Sequence, residues 1–150
     1  MSLRRNFNFI TLLLSSLILT LSIATSPILS HQVEISGNVG ATIHIEPNDN
    51  PRSNKSTLAW FALTKKGGKI IPLEKCKCRL EVYQKPYRQG NSAIAKPELK
   101  PVSAEGYKNI PGANITFPRV GSYELVLKGS PVKTGDFKPF ELSFSVTVAR

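Results

Sequence analysis

The chain is short of the side chains that usually do chemistry: it has two histidines, two cysteines and a single methionine, which is Met1. Two cysteines are too few for a disulfide-dense scaffold. Neither lies near the first thirty residues, which excludes attachment of a lipid at an export cysteine. Beyond Met1 there is no thioether to offer a soft metal ion. Glycine and serine never fall in the spacing of a nucleophile elbow. Acids are also scarce, ten against twenty lysines and arginines. The loop Glu46-Pro47-Asn48-Asp49-Asn50 has oxygen ligands but neither the acidic count nor the glycine of a calcium-binding EF-hand loop. No segment carries a convincing helical stripe, and no internal repeat is visible. These shortages argue against an enzyme. They also leave only His31, His44, Cys76 and Cys78 as soft or nitrogen donors for a metal.

What the chain does have at its start is an export signal. Arg4 and Arg5 form a positive flank, and residues 9–29 are uncharged, with Leu12, Leu13, Leu14, Leu17, Ile18, Leu19 and Leu21 as an apolar run. This is the order of a signal peptide, here a signal helix over residues 1–30. Ser22-Ile23-Ala24 satisfies the small-x-small rule and would release Thr25, whereas cutting after Ser30 would release His31. The uncharged stretch over residues 8–30 also reaches the roughly 20 residues needed to span a bilayer, so an uncleaved anchor is the alternative. Either way the paired arginines favour the cytoplasmic side and the rest is exported, to a periplasmic, lumenal or extracellular space.

Residues 31–150 are enough for one domain with one core. Setting Arg4 and Arg5 aside, the net charge of +10 becomes +8. Basic residues are densest at Lys65, Lys66 and Lys69 and at Lys75, Lys77 and Arg79. Solvated strand faces account for such a pattern, and so does an acidic partner such as an envelope protein or an anionic surface. Nucleic acid is not expected, because export removes it and no aromatics interleave with a basic stripe.

Hydrophobic alternation predicts strands throughout. Val33 and Ile35 alternate with polar neighbours, as do Ala41, Ile43 and Ile45. Leu58, Trp60, Phe61 and Leu63 enrich residues 57–64. Gly67-Gly68 supplies a hairpin turn. Cys76, Cys78, Leu80 and Val82 share a face, as do Phe140, Leu142, Phe144, Val146 and Val148. Residues 84–101 read as a long loop with one edge strand at most. Seven to eight short strands without helices make an all-β, antiparallel sandwich.

The blocks Gly67-Gly68-Lys69-Ile70-Ile71-Pro72 and Phe117-Pro118-Arg119-Val120-Gly121-Ser122-Tyr123-Glu124-Leu125 resemble the bacterial immunoglobulin-like export domains of the YtkA-like and CopC-like kind, over residues 60–148. The resemblance implies an immunoglobulin-like sandwich in which Gly-x-Tyr opens a late strand and Tyr123 makes a tyrosine corner. CopC-like proteins bind Cu(II) with a mature N-terminal histidine. Carried over, this implies that His31, freed by cleavage after Ser30, offers its amine and imidazole; a second imidazole would complete a three-nitrogen set suited to tetragonal copper, and His44, which matches no particular ligand of that family, is the only candidate. The chain departs from that pattern in having no further internal histidine. His44 shares a strand face with Thr42 and Glu46, which predicts that it reaches solvent or a neighbouring edge. Cys76-Lys77-Cys78 has three readings: buried apolar thiols, a disulfide that needs a local kink, or a pair of ligands for a soft ion such as Cu(I).

Two functions follow as expectations. One is an exported, non-enzymatic binding module of the cell envelope. The other is a copper-binding or copper-delivery protein that uses His31 and His44.

Overall fold

A computed structural model describes residues 31–88 and 90–150. The signal-peptide or anchor reading of residues 1–30 lies outside them. Eight strands are present: β1 (Val33–Ser36), β2 (Val39–Ile45), β3 (Ser56–Lys65), β4 (Cys76–Gln84), β5 (Lys100–Ala104), β6 (Tyr107–Thr116), β7 (Gly121–Pro131) and β8 (Phe140–Val148). They form two antiparallel sheets, ordered β1-β2-β3-β6-β5 and β4-β7-β8. With β1 set aside, this is the ABED-over-CFG strand order of an immunoglobulin constant-type sandwich. β1 adds a hairpin to the first edge. No described helix is long and apolar enough to cross a membrane.

The core follows from the period-two patterns. Val39, Ala41, Ile43 and Ile45 on β2 face Phe140, Leu142, Phe144, Val146 and Val148 on β8, with Phe61, Leu80, Val82, Leu125 and Leu127 between them, all buried. The corner between β6 and β7 is held as expected. Buried Tyr123 donates its hydroxyl proton to the Arg119 carbonyl at 2.8 Å, and the Arg119 N–H donates back to the same oxygen at 3.2 Å. The chain entering β1 also ties the sheets together, since the Ser145 N–H of β8 donates to the side-chain carbonyl of Gln32, the residue before Val33, at 3.0 Å. That bond occupies part of an otherwise open sheet edge.

Between β4 and β5 the region read as a loop holds no strand among the described residues beyond an isolated bridge at Ala95, while the stretch after it is more ordered than its sequence suggests. β5 and the first half of β6 form a hairpin whose turn is Glu105-Gly106, both at positive φ (48° and 84°), the signature of a two-residue turn. Pro101 and Pro111 lie opposite one another in it. The hairpin covers the outer face of the larger sheet and buries Trp60, Ala62 and Ile110 in a second, smaller cluster with Val102, Ala104 and Tyr107. Adjacent Trp60 and Phe61 therefore face opposite sides of β3, yet both are fully buried.

Cys76 and Cys78 form a disulfide at the start of β4. Residues two apart on a regular strand are separated by about 6.6 Å, at the far limit of the Cα separations that disulfides span. Here a 3-10 turn over Leu73–Lys75 leads into the strand, and the two Cα atoms are 5.1 Å apart, within the range of disulfides. The bond needs room on the facing strand. A Cβ on Gly129, which pairs with Cys78, would stand 2.7 Å from the Cys76 sulfur and 2.5 Å from the Phe140 ring. Gly129→Ala is therefore expected to lower stability by about 1–3 kcal/mol through overpacking. A shift of the urea midpoint at unchanged slope would measure it.

Candidate functional site

The site is built at the end of β2. The chain leaves this strand at Ile45 and turns through Glu46-Pro47-Asn48-Asp49. Asn48 and Asp49 adopt positive φ (55° and 51°), a conformation these two residue types tolerate because their short side chains bond nearby backbone. The turn brings Asp49 back onto the strand it has just left. Its N–H donates to the Ile45 carbonyl at 2.7 Å, and its Oδ1 accepts the Ile45 N–H at 2.6 Å. The Thr57 hydroxyl donates to the Glu46 carbonyl and fixes the loop against β3. With Oδ1 engaged, Oδ2 faces His31, 3.6 Å from its Nδ1.

His44 enters from the strand. It projects from the outer face of β2 opposite Trp60, its register partner on β3. The two rings stack almost parallel, with centroids 3.9 Å apart and planes 3° apart, while the Trp60 indole N–H donates to Glu46 Oε1 at 3.2 Å. The His31 ring lies on His44 at 4.1 Å. Glu105, at the tip of the β5–β6 hairpin, brings a carboxylate oxygen to 3.9 Å from His44 Nδ1. His44 is consequently buried, at 9% exposure, which corrects the expectation that it reaches solvent or an edge. Alternation assigned the face correctly. What it did not reveal is that the hairpin covers that face.

One donor atom from each of His31, His44 and Asp49 lies within 4.8 Å of the other two. Neighbouring ligands of a metal at about 2.0–2.2 Å stand about 3–3.6 Å apart, so the three donors must draw together by about 1–2 Å to close around an ion. A cleft of about 270 Å³ between β2 and β8, lined by His31, Gln32, Asp49 and Ser145 among others, reaches two of the three residues, His31 and Asp49, but not buried His44. Burial holds the His44 imidazole below the usual histidine range, and the His31 ring pushes the same way. The carboxylates of Glu105, Asp49 and Glu46 pull it up without overcoming these two effects. A neutral imidazole is the form that binds metal.

The sign for stability follows from that shift. Unfolded, His44 titrates near its ordinary 6.5, and folded it titrates lower. Between the two values the unfolded chain holds more protons. The contribution is thus present above about pH 6.5 and is lost as pH falls toward the folded value. In metal-free buffer, Tm is expected to fall more steeply between about pH 7 and 5 for the native protein than for His44→Gln, with thermal unfolding monitored by circular dichroism. Equal slopes would show that His44 is not linked to folding.

Of the four donors predicted from sequence, the fold brings together His31 and His44 and adds Asp49, from the oxygen-rich loop after β2. Its adjacency to Asn48, another residue tolerant of left-handed backbone, was the available signal for a chain reversal. Cys76 and Cys78 do not join them. They lie on the opposite sheet and at the opposite end, where Cys76 pairs with Pro131, and there is no free cysteine among the described residues. As a disulfide the pair presents no thiolate, so the readings as buried thiols or as ligands for a soft ion give way to the bonded form.

The fold and site thus define an antiparallel β-sandwich with a histidine–histidine–aspartate cluster at one end. No family model matches the chain, and no curated relative does. Solved structures share the fold. A DUF4426 family protein from Pseudomonas aeruginosa PAO1 superposes with a TM-score of 0.56 at 15% identity, covering 79% of this chain and 97% of that one. FetP of uropathogenic Escherichia coli strain F11, crystallised "as isolated" after recombinant expression in the periplasm, superposes with a TM-score of 0.53 at 14% identity, covering 80% and 94%. At these identities the likeness is one of architecture.

Proposed function

We propose that this protein is an exported, non-enzymatic metal-binding sandwich that takes Cu(II) through His31, His44 and Asp49. The observation that carries the reading is the convergence of both histidines of the chain with a carboxylate whose second oxygen is already held by backbone. Imidazole suits Zn, Cu, Ni and Fe, and nitrogen with oxygen in a tetragonal set selects Cu(II) or Ni(II), of which Cu(II) binds tighter. Cleavage after Ser30 adds the free amine of His31 to the set, in keeping with the CopC-like resemblance. Export is supported by the basic flank and apolar run of residues 1–30, and the periplasmic expression of FetP accords with it. The scarcity of catalytic side chains supports a binding or delivery role over catalysis.

The chain has one tryptophan, Trp60, and it stacks on His44. Titration of the purified protein with Cu(II) is therefore expected to quench its fluorescence to an end point of one ion per chain, whereas Zn(II) leaves most of the emission. A protein beginning at His31 is expected to bind more tightly than one with an extra alanine before it. Emission unchanged by Cu(II) at micromolar protein would reject the site.

A further inference from the structure

The other end of the sandwich is where the charge is concentrated. The β1–β2 turn, residues 65–75 and the β7–β8 loop meet there. Asn38 links them, its carbonyl accepting the Lys66 N–H at 2.8 Å and its side-chain oxygen the Lys138 N–H at 3.0 Å. Val132 N–H donates to the Lys75 carbonyl at 3.0 Å. These segments carry Lys65, Lys66, Lys69, Lys75, Lys133 and Lys138 against only Glu74 and Asp136. The excess is four positive charges, half of the +8 that the chain carries without Arg4 and Arg5. Lys65 is partly neutralised by Asp136 at 3.9 Å, but the other five lysines are exposed.

The same end has apolar surface among its charges. A cleft of about 250 Å³ is lined by Ile70, Pro72 and the buried Ile71 and Phe137, together with Lys65, Lys69, Lys75 and Asp136. Val132, half exposed, projects next to Lys133. Exposed lysines with an apolar side chain among them, Val132, complement a surface of anionic headgroups above an apolar layer.

We propose that this lysine-rich end docks the protein on an anionic phospholipid bilayer. The inference is independent of the metal reading, because β2 runs from Val39 at this end to Ile45 at the other. Each lysine near an anionic membrane strengthens binding by about five-fold, and the attraction fades within a Debye length.

The test is sedimentation of the exported protein with vesicles of phosphatidylglycerol and phosphatidylcholine in equal parts, and with vesicles of phosphatidylcholine alone. The unmodified protein is expected to bind the first, not the second, and to be released by about 0.5 M salt. A triple variant, Lys66→Glu, Lys69→Glu and Lys133→Glu, is expected to bind at least about 100-fold more weakly. A second triple variant, Lys55→Glu, Lys96→Glu and Lys108→Glu, changes the net charge equally but lies away from this end, and is expected to bind within a few-fold of the unmodified protein. All six positions are exposed, and thermal unfolding verifies that both variants are folded. Should a triple variant fail to fold, Lys133→Glu alone is expected to cost at least about five-fold. Equal losses in the two triple variants, equal binding to the two vesicle types, or binding to a soluble anionic polysaccharide but to neither vesicle would overturn the proposal.

Discussion

Replacing His44 by alanine is expected to weaken Cu(II) binding by at least about 100-fold, the upper end of what the loss of an outer-shell partner costs, because here a donor itself is removed. The reason lies in how the ring is held. His31 is half exposed and sits at the edge of the cluster, whereas His44 is fixed between Trp60, His31 and the hairpin bearing Glu105. Its ring is thus held in place before any ion arrives, and little ordering remains to oppose binding. Asp49→Asn gives a more selective comparison. The amide oxygen can still accept the Ile45 N–H, so the loop keeps its shape while the charge facing His31 disappears. A loss of about 10–100-fold is expected for this variant, and isothermal titration against a copper-buffering chelator would measure both. Unchanged affinity in His44→Ala would remove the cluster as the binding site.

The second large effect concerns the tryptophan beneath that ring. Trp60→Ala is expected to lower stability by about 3–5 kcal/mol, read from urea unfolding, because a fully buried indole is replaced by a cavity. That is a large share of the roughly 5–15 kcal/mol that holds a domain of ordinary stability folded. The main core should survive, since Trp60 belongs to the smaller cluster, but the β5–β6 hairpin loses the surface it packs on. His44 loses its stacking partner at the same time. Trp60→Phe keeps an aromatic face and is expected to retain most of the stability. A loss below about 1 kcal/mol in Trp60→Ala would mean that the hairpin is not anchored there.

Where an element has one buried face and no interruption, its sequence announced it. β8 alternates from Phe140 to Val148 without exception, and the apolar residues of β2 alternate likewise from Val39 to Ile45, although His44 between them is buried too. The resemblance carried by Gly121-Ser122-Tyr123 implied the corner that Tyr123 makes with Arg119. The β5–β6 hairpin was hidden because Pro101, Pro111 and Gly112 are residues that ordinarily weaken strands. They are accommodated because β5 is an edge strand and the two prolines face each other. The burial of His44 and Trp60 was hidden by the same omission, since a covered outer face looks in sequence like an exposed one. Asp49 could not be placed with the histidines from spacing alone, because its position depends on a reversal of only four residues. The disulfide depended on the local contraction of β4, which Pro72 and the turn after it suggested without specifying.

The length of β2 has a further consequence. His44 stands six residues from Asn38, which at about 3.3 Å per residue places the two ends of the sandwich roughly 20 Å apart. The screening distance in physiological salt is about 8 Å. The lysine end and the histidine end are thus electrically insulated from one another, so either can gain or lose charge in the course of evolution without retuning the other.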